Sequence, residues 1–288
     1  MKAPLTLLAL CAGLTYAQDL DAALETAAPS NEPVMATFKS IRLVQSQSVE
    51  TTQKGVLNMC ISHRFGQYES GSDNLYGLDF GHIRLGLDYG ISDYTNVGFE
   101  RSTNTGKPID LFLKQRLLRQ TTSGDMPVSL TWYAAGFMTT QTGAGLDYDL
   151  TFERRLSSVN QLIVARKFNS DLSLEISPTM VTRQLRPYNN DGEVSLGVVF
   201  GGRYKLAQRV AITAETTPMV YGTNINWDPA CAIGMDIETG GHVFQLFISN
   251  SQWLSEDRMY TQTKTGSRTA MDINTLALGF NITRGYAL

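Results

Sequence analysis

From Lys54 to the carboxyl end the chain alternates apolar and polar residues with a period of two, in segments separated by clusters of Gly, Asn, Asp, Ser and Pro, and helical period is scarce. A strand turns successive side chains to opposite faces, so each such segment separates two environments. His82 to Gly90 is the clearest case: Ile83, Leu85, Leu87 and Tyr89 lie on one face, Arg84, Gly86 and Asp88 on the other. Leu57, Met59 and Ile61 form the same stripe before it, Val97 and Phe99 after it opposite Gly98 and Glu100, and Ile109, Leu111 and Leu113 opposite Asp110, Phe112 and Lys114. Further strands are expected at Val128 to Met138, Gln161 to Phe168, Leu172 to Arg183, Val194 to Tyr204, Arg209 to Pro218, Pro229 to Thr239, His242 to Ser249 and Ile273 to Thr283. The expectation is about twelve strands, with boundaries good to roughly two to four residues.

The connections carry a second regularity. Those on one side are tight (Gly90 to Asp93, Gln120 to Met126, Asn169 to Ser170, Leu206 to Gln208, Thr239 to Gly241), and those on the other are long (Gly66 to Gly81, Thr139 to Asn160, Gln184 to Gly192, Met219 to Asp228, Asn250 to Asp272). Only Ser102 to Lys107 breaks the rule. Short turns alternating with long loops mark an up-and-down barrel of an outer membrane, with both termini at the periplasmic, tight-turn end. In hydrocarbon every backbone donor and acceptor needs a partner within the protein, so such a sheet must close on itself. The fold class expected is therefore all-β: a single antiparallel transmembrane barrel over residues 54–288, in contact with outer-membrane lipid. Phe65, Tyr89, Tyr94, Trp132, Tyr133, Tyr204 and Tyr221 fall near strand ends, where an interfacial belt of aromatics would sit.

The amino terminus reads as an export signal over residues 1–17: Lys2, an apolar run from Leu5 to Leu14, and Thr15-Tyr16-Ala17 before Gln18. Residues 18–53 then form a leader. Asp19 to Thr26 is acidic and alanine-rich, and Phe38, Ile41, Leu43 and Val44 make a later apolar patch. Phe38 to Glu50 is read either as a plug within or beneath the barrel, as a docking segment for a periplasmic or envelope protein partner, or as a flexible leader. Of the two cysteines beyond the signal, Cys60 alternates with Asn58 and Ser62 on a polar face and Cys231 with Ile233 and Met235 on an apolar one, so they cannot bridge.

The runs Ser48-Val49-Glu50-Thr51-Thr52, His63-Arg64-Phe65-Gly66, Leu75-Tyr76-Gly77-Leu78-Asp79 and Ile83 to Gly90, with Phe99-Glu100-Arg101-Ser102, Leu117-Leu118-Arg119-Gln120 and Gly279 to Arg284, resemble a family of Bacteroidota β-barrel proteins known only as a domain of unknown function. The resemblance is specific over Phe38 to Gln120. It implies a membrane barrel and brings no established activity.

The face opposite the apolar stripes is expected to line the lumen. It carries Arg84, Lys114, Arg116, Arg183, Arg203 and Lys205 against Asp88, Glu100, Asp110, Glu175, Glu215 and Asp236. Equal numbers of the two signs point to compensated pairs rather than to a strongly selective constriction. With a net charge of −3 the chain is not expected to bind nucleic acid. The three histidines, His63, His82 and His242, belong to no HExxH or clustered CxxC pattern, so no metal or cofactor is expected. Ser62 and His63, adjacent in a strand, point to opposite faces and make no nucleophile–base pair without a bulge, so no enzyme is expected, with a barrel-embedded hydrolase the last-ranked alternative. What remains is a narrow channel for small solutes or, as the alternative, a partner-binding barrel acting through its leader or through the loops Asn74 to Phe80, Gly143 to Ser157 and Ser251 to Arg268.

Overall fold

The computed structural model describes residues 31–141, 150–185, 192–223, 227–264 and 272–288. The export signal, the acidic stretch Asp19 to Thr26, and parts of the loops Gly143 to Ser157 and Ser251 to Arg268 lie outside the described residues. Twelve long strands follow one another: β1 (Val56–Gln67), β2 (Gly81–Ser92), β3 (Thr95–Ser102), β4 (Pro108–Leu118), β5 (Ser129–Thr139), β6 (Leu156–Lys167), β7 (Leu172–Arg183), β8 (Val194–Ala207), β9 (Val210–Thr217), β11 (Ala230–Thr239), β12 (His242–Ser249) and β13 (Ala277–Ala287). A short β10 (Met219–Tyr221) continues β9 beyond Pro218 along the same neighbour, β8; proline has no N–H for the ladder, and the strand breaks there.

Each long strand pairs antiparallel with its neighbours in sequence, and β1 pairs with β13 to close the ring. The chain is thus a closed antiparallel barrel of twelve staves with no free edge, as hydrocarbon requires. The final stave starts four residues later than its alternation suggests. Ile273–Thr275 forms a 3₁₀ turn instead, because the Asp272 carboxylate accepts a hydrogen bond from the Asn274 N–H and ends the extended run. β6 begins five residues earlier than expected, at Leu156; Ser158 and Asn160 occupy its outward positions and mask the period.

The alternation sorts the wall. In β2, Leu85 is 53% exposed and Arg84 only 2%. In β4, Leu111 is 66% exposed while Asp110 and Phe112 are buried. The outward apolar face meets the acyl chains and the inward face meets the contents of the lumen. Tyr133 corrects the expected belt: next to outward Trp132 in the same strand it must point inward, and it is fully buried against Phe112, ring centroids 5.7 Å apart. The other six aromatics named for the belt are half-buried or exposed. The cysteines sit on opposite sides of the wall and are free: Cys60 is buried beside Ser62, and Cys231 lies half-buried near Thr216.

Candidate functional site

Two chain segments enter the barrel from its two ends. From the tight-turn end comes the leader. Its residues 32–34 first run along the β4–β5 turn, with the Val34 N–H donating to the Gln120 carbonyl at 2.7 Å and the Thr122 N–H donating to the Glu32 carbonyl at 2.9 Å. The chain then turns inward as a hairpin closed by Leu43 N–H to Ser46 O and Ser48 N–H to Ile41 O, both 2.9 Å, and returns to β1. Phe38, Leu43, Val44 and Val49 are almost fully buried and pack with Phe112, Tyr133, Val159, Ile163, Val181 and Val199 from the inner wall. Burying four such side chains contributes roughly 1.5–3 kcal/mol each relative to water.

A hairpin surrounded by a foreign wall leaves backbone groups without ladder partners, and the inward polar residues supply them. The Glu215 carboxylate accepts from the N–H groups of Val44, Gln45 and Ser46 at 3.0–3.2 Å. Glu175 accepts from the Val49 N–H at 2.9 Å. The Lys114 ammonium donates to the carbonyls of Ile41 and Glu50, each 2.9 Å. Gln245 and Asn281 donate to Leu43 O and Val44 O at 2.6 and 2.7 Å, and the Thr131 hydroxyl donates to Val49 O at 2.7 Å. These side chains satisfy a chain segment and are not open to a water column.

From the long-loop end comes the β12–β13 connection. It folds inward through residues 250–264 and carries a short helix, α1 (Glu256–Thr261), whose six residues are all buried. This corrects the expectation that Ser251 to Arg268 presents a recognition surface, since its described part lies in the barrel. The reason is apolar content: Leu254, Met259 and Tyr260 are buried, the last two joining the same core as the leader. Asn104, in the β3–β4 connection, holds the loop's entry by accepting from the Leu254 N–H at 2.9 Å and donating to Gln252 O at 3.2 Å. Arg258 donates to Thr105 O and, at 2.9 Å, to the Thr139 hydroxyl. Arg183 donates to the Thr261 hydroxyl at 3.0 Å.

The two inserts meet at one carboxylate. Glu256 of α1 accepts from Arg42 of the leader at 2.7 Å, from Gln47 at 2.8 Å, and from Arg84 of the wall at 2.9 Å. Arg42 also binds Glu100 at 2.6 Å; Arg84 binds Glu100, and Asp110 at 2.7 Å. The cluster holds two guanidiniums and three carboxylates, each at most 4% exposed. Buried ions lose several kcal/mol of hydration each, and several mutual contacts per ion offset that loss.

The other charges of the inward face are distributed around this junction. Arg116 pairs with Glu50 of the leader at 2.8 Å; Arg203 pairs with Asp236 at 3.5 Å and with Glu238 at 2.8 Å, and Glu238 also binds Lys39 of the leader. Asp88 accepts twice from the Asn96 amide. Lys205 stands apart, half-buried near the β8–β9 turn and in no ion pair among the described residues. Of the partners absent from the expected inward set, Lys39, Arg42, Glu50 and Glu256 lie on segments without period, whereas Glu238 shares a face of β11 with Asp236. Arg64 and Asn281 extend the polar faces of β1 and β13 and were within reach of it; Arg64 donates to Asn281 at 3.2 Å and lies over the Phe247 ring. Ser62 is buried inside the barrel, whereas His63 is on the outer wall and stacks on Phe280 with ring centroids 5.1 Å apart.

Comparison with known proteins joins these observations to a family. A family model described as a membrane-bound β-barrel domain, DUF5777, matches residues 38–286. The chain belongs to that family. The matched span begins at the inserted hairpin and ends within β13, so it takes in the filling together with the wall. Among solved structures, the NanC porin is similar at 10% identity over 81% of this chain and 100% of its own, with a TM-score of 0.50. The COG4313 outer membrane channel from Pseudomonas putida F1 is similar at 13% identity over 83% of this chain and 98% of its own, also with a TM-score of 0.50. At such identities the likeness concerns the fold. Comparison with curated proteins finds no significant match.

Proposed function

We propose that this member of the DUF5777 family is an outer-membrane channel for small solutes, closed in the state described above by the leader from the periplasmic end and by the α1 loop from the outside. The observation that carries this reading is that neither insert supplies a stave. The ring of strand pairings is complete without them, so each can leave while the wall remains sealed against lipid. Twelve staves give a bore between the side-chain-filled eight-stranded barrels and the open sixteen-stranded porins, which sets small solutes as the upper limit of traffic. The similarity in fold to a porin and to an outer membrane channel supports the same reading. Arg84, Asp88, Glu100, Asp110, Lys114, Arg116, Glu175, Arg183, Arg203, Glu215 and Asp236 would line the path once the inserts move, with Lys205 near its inner mouth.

The test is single-channel recording in planar bilayers with the full chain and with a variant lacking Phe38 to Glu50. The full chain is expected to reside mostly at baseline and the variant to show discrete steps. A variant that keeps the heat-modifiable gel mobility of a folded barrel yet leaves the bilayer at baseline would remove the channel reading.

One observation favours partner binding as a second reading. In the β1–β2 loop, Leu75 and Tyr76 adopt left-handed backbone conformations, φ 47° and 54°, and Leu75, Tyr76, Leu78 and Phe80 stand about half exposed. Apolar side chains held outward on a strained loop fit a protein partner at the cell surface. Co-purification lost on Tyr76→Ser and Phe80→Ser together, with conductance unchanged in both forms, would favour it.

A further inference from the structure

The outer wall is not uniformly apolar. At the long-loop end, strand register places Leu111 beside Gly136, Gly136 beside Ser158, and Ser158 beside Thr182. One row nearer the rim, Arg101, Ile109, Met138 and Leu156 lie side by side. Small residues in the first row leave a groove of about 830 Å³ between the flanking side chains. That volume falls within the range of roughly 300–1,000 Å³ typical of small-molecule sites. A side chain on Gly136 would meet nothing within 4 Å, so the depression is open toward the lipid.

Glu153 lines this groove at its rim, and four cations flank it. Arg101 stands exposed on the outer face next to Ile109, and Lys107 is exposed at the mouth of β4. Arg154 and Arg155 occupy the turn that enters β6, with Arg155 stacked over Phe152 at 5.7 Å. None of the four takes part in an ion pair among the described residues, and Glu153 is the acid that shares their turn. An apolar trough on the outer wall, flanked among the described residues by four cations against the one acid Glu153, has the charge and polarity of one kind of occupant.

We propose that this groove is a binding site for an anionic, phosphate-bearing lipid of the outer leaflet, with an acyl chain lying over Gly136 and the phosphate held by Arg101, Arg154 and Arg155. The site faces away from the lumen and does not depend on whether the barrel conducts. Native mass spectrometry of the full chain from a non-ionic detergent tests it, with bis-phosphorylated lipid A as the probe and phosphatidylcholine as the neutral comparison. A one-to-one lipid A adduct is expected to survive activation that strips phosphatidylcholine. Gly136→Ile fills the trough, and Arg154→Gln with Arg155→Gln removes the headgroup contacts. The double arginine variant is expected to lower adduct occupancy about thirtyfold, the equivalent of about 1 kcal/mol toward anionic lipid for each basic residue removed, and Gly136→Ile is expected to lower it as well. Heat-modifiable mobility identifies folded protein, and either variant alone suffices if the other fails to fold. Equal retention of the two lipids, full occupancy in a folded variant, or displacement of lipid A by millimolar inorganic phosphate would each overturn the proposal.

Discussion

The outer wall and the filling of the lumen are made from the same strands and obey different rules. Outside, one residue in two faces a fluid that accepts any apolar shape, so Leu85, Leu87, Leu111 and Leu246 differ little in what they must satisfy. Inside, polar groups are matched to particular partners: Glu215 holds three N–H groups of the leader, Lys114 two of its carbonyls, and Glu256 three donors from two segments, the leader and β2. The wall tolerates variation in shape and rejects charge, whereas the filling tolerates charge only in the positions it already has. The contrast bears on the channel proposed above, because a wall of generic side chains seals the membrane on its own and leaves specificity to the filling.

The largest expected effect breaks the filling. Arg84→Ala removes the ion-pair partner of Asp110, leaves Glu100 and Glu256 with Arg42 alone, and is expected to cost about 3–5 kcal/mol, measured as a shift in urea unfolding in lipid vesicles. A smaller loss breaks the wall: Leu87→Arg, near the middle of β2, is expected to cost about 2–4 kcal/mol in the same assay, and a neutral result would move this strand out of the hydrocarbon. Gly98→Ala sharpens the comparison, because the added Cβ would fall within 2.3 Å of the Phe112 ring, which covers Gly98 from the neighbouring stave. Overpacking there is expected to cost about 1–3 kcal/mol, while an equal change at outward Gly136 costs less. The least effect on the wall comes from Glu256→Gln. It leaves two guanidiniums with two carboxylates and weakens the junction by about 1.4 kcal/mol, so the unfolding shift should be no larger than that while opening of the proposed channel rises about tenfold.

These pairs also explain what could be read in advance. Alternation carries the wall, so Arg84 inward and Leu85 outward follow from position alone. It fails where a strand puts Ser158 and Asn160 outward, and where proximity to a strand end made Tyr133 look interfacial beside Trp132. The filling is a different matter. Arg42 meets partners 58 and 214 residues away, and no local period encodes such a choice. The loop that carries Glu256 does hold a sign, in Trp253, Leu254, Met259 and Tyr260, because a surface loop has little reason for so many large apolar side chains.

One feature of the leader bears on how the molecule is made. Its tip is gripped by Glu215 and by Asn281, groups that lie 171 and 237 positions further along the polypeptide. Such distant pairings form slowly, because long loops must close before any contact repays them. A segment made before any stave therefore becomes the last to find its seat. Until the final stave zips onto the first, the nascent barrel stands ajar.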